Sequence, residues 1–131
     1  MHTPDSKDRF IAEVAKAADL CMKPYVHAVF LENQLDDEKN LDDLIFKIQC
    51  RNIEGERKES MDIELEVYKS GNEVNMTISW KSLIDRPILW QGKHAIWMDS
   101  SSGVQCDTPS YGKLFESLSI RLRTIFKASL N

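Results

Sequence analysis

Apolar and polar residues alternate along this chain with two different periods, and the change of period separates helical ends from a middle built of strands. From Ser6, a good N-cap with Asp8 in the first turn, Ile11, Val14, Ala15, Ala18 and Met22 recur at the spacing of one helix stripe. Pro24 lacks a backbone donor and disfavours a helical residue before it, so this helix is expected to stop near Met22 or Lys23. Tyr25 to Leu31 is a short apolar run that suits a second helical segment, with Pro24 in its first turn, or a buried strand; the expectation is helix. Leu35 to Asp43 is strongly acidic and reads as a solvated connection.

Beyond it the period becomes two. Leu44, Phe46, Ile48 and Cys50 share one face of a strand, with Lys47, Gln49 and Arg51 on the other. Met61, Ile63, Leu65 and Val67 alternate with Asp62, Glu64, Glu66 and Tyr68, and Ser70-Gly71-Asn72 supplies a hairpin turn. Val74, Met76, Ile78 and Trp80 then alternate with Asn75, Thr77 and Ser79, which completes a three-strand meander. Pro87 belongs at a strand start or sheet edge, Ile88 to Trp90 and Ala95 to Met98 flank Gln91-Gly92-Lys93, and Val104 to Cys106 returns after a serine-rich turn. Thr108-Pro109-Ser110 marks the start of a last helix, whose apolar face is Leu114, Phe115, Leu118, Leu122, Ile125 and Phe126. The pattern predicts a single α+β domain over residues 1–131, an antiparallel meander of five or six strands packed against N-terminal and C-terminal helices.

With 131 residues, 42% hydrophobic and 29% charged, the chain can bury a continuous core without metal or disulfide support. No stretch approaches the roughly 20 apolar residues that span a bilayer, so no membrane role is expected. The first ten residues lack the basic-then-apolar order of a secretory signal. Cys21, Cys50 and Cys106 are odd in number and form no C-x-x-C pair, which suits reduced thiols and a cytoplasmic location. Residues 1–70 carry a net −6 and residues 71–131 a net +2, an acidic balance that disfavours nucleic acid as a partner.

Candidate chemistry is sparse. The histidines and cysteines are too dispersed for a metal site, and the glycines occur singly rather than in a phosphate-binding loop, so no metal, cofactor or small-molecule ligand is indicated. Cys106 as nucleophile with His94 as base, near Asp99 and with His27 brought close by folding, is the one catalytic pairing to weigh. Against it, His94 and Asp99 fall on opposite faces of an unbroken strand, and an ordinary strand histidine is the plainer reading. Asp62, Glu64 and Glu66 line one strand face, as a solvated surface or as a docking face for a basic protein. Lys113, Arg121, Arg123 and Lys127 give the last helix a basic side that single-stranded nucleic acid would need, although such cations are also ordinary helix surface.

The densest feature is Trp80, Trp90 and Trp97 beside Pro87, Ile88 and Leu89. Tryptophan is enriched at interface hot spots, so Trp90, Trp97, Pro87 and Leu89 are the candidate partner-binding residues. Trp80 shares a face with Val74, Met76 and Ile78 and reads equally well as core, whereas Trp97, opposite Ile96 and Met98, is the better surface candidate.

The order of helix, three-strand meander, further strands and terminal helix resembles the type III secretion chaperone-like group, which includes the YbjN-like proteins. That resemblance covers most of the chain as element order and implies a small acidic dimer that escorts or binds other proteins. The expectation is therefore a non-enzymatic protein-binding or chaperone-like module, with a protein partner or a second copy of itself as a homodimer.

Overall fold

The computed structural model describes residues 5–32 and 43–130. In chain order they form α1 (Asp5–Cys21), β1 (Val26–Leu31), β2 (Asp43–Arg51), β3 (Ile63–Ser70), β4 (Glu73–Trp80), β5 (Ile88–Gln91), β6 (Ala95–Met98) and α2 (Gly112–Leu130), with a single 3₁₀ turn, Glu59–Met61, before β3. Ser6, the expected N-cap, falls within the described span of α1. Of the acidic connection, only Asp43 lies within the described residues, at the start of β2.

Each strand pairs antiparallel with its neighbour in sequence, giving the sheet order β1-β2-β3-β4-β5-β6. The expected α+β meander is the observed architecture. Gly71, at φ 62°, takes the first position of the two-residue β3–β4 turn, where a left-handed backbone is required and a side chain would be strained.

Period-two alternation sends Leu44, Phe46 and Ile48, Ile63, Leu65 and Val67, and Val74, Met76 and Ile78 to one buried face. Both helices cover that same face. Phe126 of α2 sits between Phe10 of α1 and Phe46 of β2, with ring centroids 5.0 and 5.8 Å away. Nearer the start of α2, Phe115 packs on Trp80 at 4.6 Å and stacks on Trp97 at 6.1 Å. Burial of an aromatic or aliphatic side chain contributes about 1.5–3 kcal/mol, so this face collects the hydrophobic stabilisation. The opposite face carries no helix among the described residues.

The strand inventory differs from the expected one in two places. Tyr25 to Leu31 is not helical: Val26–Leu31 is β1, paired with β2 in the register Val26↔Arg51. His27 and Val29 point into the core while Val26 and Phe30 are half exposed, so the segment has a strand period that apolar residues on both faces hide. Val104 to Cys106, expected as a strand, makes only an isolated bridge, Met98↔Gln105, although the Cys106 N–H donates to the Trp97 carbonyl at 2.8 Å.

Candidate partner-binding face

On the uncovered face, register places Ile45, Glu66, Thr77, Trp90 and Ile96 in one row across β2 to β6. An antiparallel sheet can leave one face to water, but such a face is ordinarily polar. Here its β5–β6 end is apolar and aromatic.

Trp90 is the centre of that end. Its Nε1–H donates to the Tyr68 hydroxyl at 2.9 Å, and its ring lies over Gly92. A Cβ on Gly92 would collide with the ring and stand 2.9 Å from Asn75 Oδ1, so the absence of a side chain there lets the indole lie flat. Beside the ring is an open depression of about 260 Å³ lined by Glu73, Asn75, Trp90, Lys93, His94 and Ile96. Asn75 is only 7% exposed as a residue, and the depression is where its side chain reaches the outside.

Of the four residues expected at a contact surface, Trp90 lies on this face; Pro87 is partly exposed just before β5, and its carbonyl accepts from the hydroxyl of Tyr111, which packs against Trp80 and Phe115 on the covered side, at 3.2 Å. Leu89 and Trp97 do not reach the surface, and the expectation for them is corrected: they are 0% and 3% exposed, beneath the N-terminal half of α2. Every residue of β6 is apolar, so alternation alone does not reveal which parity faces inward. Packing decides it: Trp97 stacks on Phe115 and its Nε1–H donates to Glu116 Oε2 at 2.7 Å, which turns Ile96 and Met98 outward.

The three carboxylates expected as a solvated row have separate environments. Asp62 is 4% exposed, accepts from Arg57 Nη1 and Nη2 at 2.9 and 2.8 Å, and accepts the Cys50 N–H at 2.8 Å. Burial alone would raise its pKa, but the Arg57 and Cys50 hydrogen bonds and the Arg57 charge outweigh burial and hold it below the usual carboxylate value. Glu66 is shifted the other way, by burial first and then by the charge and hydrogen bond of Asp43 and the charge of Glu64. Glu64 lies 4.0 Å from Lys81 Nζ. The carboxylates on the uncovered face thus include Glu64 and Glu66, two strands from Trp90, Asp43 one strand further, and Glu73 at the depression itself, where it lies 3.7 Å from both Lys93 and Arg123.

The sequence pairing of Cys106 with His94 is not assembled. His94 is exposed at the rim of the depression, no hydrogen bond joins it to Cys106, and Asp99 accepts from Ser101 and Ser102 within its own turn. His27 instead meets Asp19 of α1, which lies 2.9 Å from Nδ1 and accepts the His27 backbone N–H at 2.7 Å. Across the strand pair His27 stands opposite Cys50, a juxtaposition that sequence spacing does not reveal. The carboxylate, imidazole and thiol are the parts of a nucleophile constellation. However, the His27 side chain is 0% exposed, and the Cys50 thiol is pushed up to about 11 by burial and the Asp62 charge, which leaves it inert at neutral pH. No group of three or more side chains able to hold a metal ion occurs among the described residues. Nor is any of their helices long and apolar enough to cross a membrane.

The basic side of α2 is also partly committed. Arg123 donates through Nη1 to the carbonyls of Val74 and Gly92 and lies 3.7 Å from Glu73, so it ties the helix to the strand ends. Arg121 interacts with Cys21 of α1. Lys113 and Lys127 remain on the exposed surface.

No curated protein and no solved structure matches the chain. A family model described as "Domain of unknown function (DUF8659)" matches residues 11–125, and the chain belongs to that family.

Proposed function

We propose that this protein is a non-enzymatic binding or escort module, and that its contact surface is the uncovered sheet face centred on Trp90. The observation that carries this reading is a sheet face without a helix among the described residues, whose β5–β6 end presents Trp90 and Ile96 instead of the polar residues that water favours. Tryptophan held flat by a hydrogen bond loses little freedom on binding, which is the property of an interface anchor. The element order that resembles type III secretion chaperone-like proteins fits the same role. The partner is another protein or a second copy of the chain, in a reducing, cytoplasmic setting. The mostly internal use of Arg123 supports protein over nucleic acid.

Light scattering across a concentration series reports self-association, and cross-linking in extract of the native cell reports foreign partners. Trp90→Ala is expected to abolish whichever association the wild type shows, while Val104→Ala, exposed but away from Trp90, leaves it intact. An unchanged mass and unchanged partner set for Trp90→Ala would overturn the reading.

A further inference from the structure

We propose that the depression beside Trp90 is a peptide-anchoring pocket: an apolar side chain of a partner rests on the Trp90 ring, Asn75 pairs with that residue's main-chain amide, and a basic residue further along reaches Glu66. This rests on the protein-binding reading and specifies its chemistry.

Asn75 is the first argument. A carboxamide offers two donors and an acceptor in one plane. Asn75 is largely buried as a residue, but it lines the depression, so its amide meets the outside only there. A peptide unit, with one N–H and one C=O at fixed spacing, is the complementary group.

The second argument is shape. Trp90 is fixed at one end by Tyr68 and lies flat over Gly92, so it is a preformed platform rather than a mobile side chain. The volume of about 260 Å³ lies below the range of about 300–1,000 Å³ usual for drug-sized ligands and cofactors, and suits one side chain with its peptide group.

Charge gives the third. Glu66 stands two strands from Trp90 in the same cross-strand row, about 10 Å away at the usual strand spacing of about 4.8 Å. An extended peptide crossing the sheet covers that distance in about three residues. Like charges of neighbouring carboxylates bear on Glu66, and a cation placed beside it offsets that repulsion. A nucleobase would also stack on Trp90 and pair with Asn75, but its phosphates would meet these carboxylates on a chain of net charge −4.

The test uses the full chain, ¹⁵N-labelled, titrated with blocked hexapeptides that carry a leucine, proline or phenylalanine anchor and, three positions on, either arginine or glutamate. Oligothymidylate of ten nucleotides is the competing probe. The readouts are the Trp90 indole N–H resonance, identified by its loss in Trp90→Phe, and the Asn75 side-chain amide. At least one arginine peptide is expected to shift both. Asn75→Ala is expected to weaken that binding at least fivefold while its urea midpoint stays level or rises, a combination that a merely structural Asn75 would not give. Glu66→Gln is expected to narrow the preference for arginine over glutamate.

The pocket is refuted if no arginine peptide moves either resonance at millimolar concentration, if Asn75→Ala binds as the wild type does, or if oligothymidylate binds more tightly than every peptide. Loss of native association in Trp90→Ala together with peptide silence would remove the pocket and keep the wider face. Peptide binding with native association untouched by Trp90→Ala would do the reverse.

Discussion

The Trp90 indole N–H donates to the Tyr68 hydroxyl at 2.9 Å, joining β5 to β3 across the top of β4. The bond spans a whole strand on the face that no helix of the described residues covers. It therefore fixes the aromatic platform rather than the core. Tyr68→Phe removes the acceptor and leaves the ring stacked, so a stability loss of only about 1 kcal/mol is expected from denaturant unfolding. The sensitive readout is binding: a freed indole weakens association at this face by several-fold. A Tyr68→Phe variant that binds as tightly as the wild type would show that the platform needs no tether.

Gly92 serves the same ring from the other side. A methyl group there meets the Trp90 ring and Asn75 Oδ1 together, so Gly92→Ala must displace the indole. Overpacking of this kind costs about 1–3 kcal/mol. The expected signature is a moved Trp90 indole resonance and an altered depression, with the buried Trp80 and Trp97 indoles unmoved. Three shifted indoles would mean that the whole sheet had rearranged.

Much of this architecture is legible in the residues themselves, and the failures have physical causes. The β3 alternation reads correctly because its outward positions are Glu64, Glu66 and Tyr68, which leave no choice of parity. In β6 the run Ala95-Ile96-Trp97-Met98 has no polar residue to mark the outside, and Trp97 is drawn inward by Phe115 and Glu116, which lie far away in sequence. In β1 the same ambiguity extends to the type of element. Asn75 is correctly read as pointing away from the core, but its burial under Trp90 depends on the β4–β5 pairing and the bare backbone of Gly92. The Asp19, His27 and Cys50 cluster escapes a sequence reading because the helix-to-strand turn and the β1–β2 register together create it.

Two carboxylates give opposite pH signatures. Asp62 has a folded pKa below its unfolded value, so its contribution is complete above the ordinary carboxylate range and is lost as pH falls through the depressed native value. Glu66 has a folded pKa above its unfolded value, so its proton favours the folded state, and that advantage disappears as pH rises through the raised native value. Asp62→Ala strands Arg57 and the Cys50 N–H and is expected to cost about 3 kcal/mol at pH 7. Glu66→Gln removes repulsion from Asp43 and Glu64 and is expected to stabilise by about 0.5 kcal/mol at pH 7, with the gain fading toward pH 4. Urea unfolding at both pH values checks each sign, and a Glu66→Gln variant less stable at pH 7 than the wild type would reverse the assignment.

Arg123 separates an architectural cation from a phosphate-binding one. It donates to the carbonyls of Val74 and Gly92 from α2, at the end of the sheet that carries the depression. Arg123→Ala leaves two carbonyls without a charged donor, and a loss of about 2 kcal/mol is expected from thermal or urea unfolding. Lys127→Ala, on the exposed side of the same helix, is expected to change stability by less than about 0.5 kcal/mol. Equal effects from the two would contradict the tie between α2 and the strand ends.

Cys50 tests whether the buried cluster with His27 and Asp19 is chemically quiet. Its backbone N–H donates to Asp62, and its carbonyl accepts from the Lys58 N–H and from Arg57, so the hydrogen-bonding edge of Cys50 faces away from β1. His27 and Cys50 are therefore a non-hydrogen-bonded cross-strand pair, the kind in which side chains approach more closely. Proximity does not activate the thiol, because burial and the Asp62 charge push it up to about 11. At pH 7 such a thiol has a thiolate fraction more than about a hundredfold below that of a free cysteine. Iodoacetamide labelling read by peptide mass spectrometry should therefore leave Cys50 unmodified in the native chain and modify it in urea. Asp62→Asn removes one of the charges that raises the thiol but also loosens the β2–β3 connection, so faster Cys50 labelling is expected there only in proportion to lost stability. Rapid native labelling of Cys50, ahead of the partly exposed Cys106, would instead identify the His27 pair as an activated thiol and bring catalysis back into consideration.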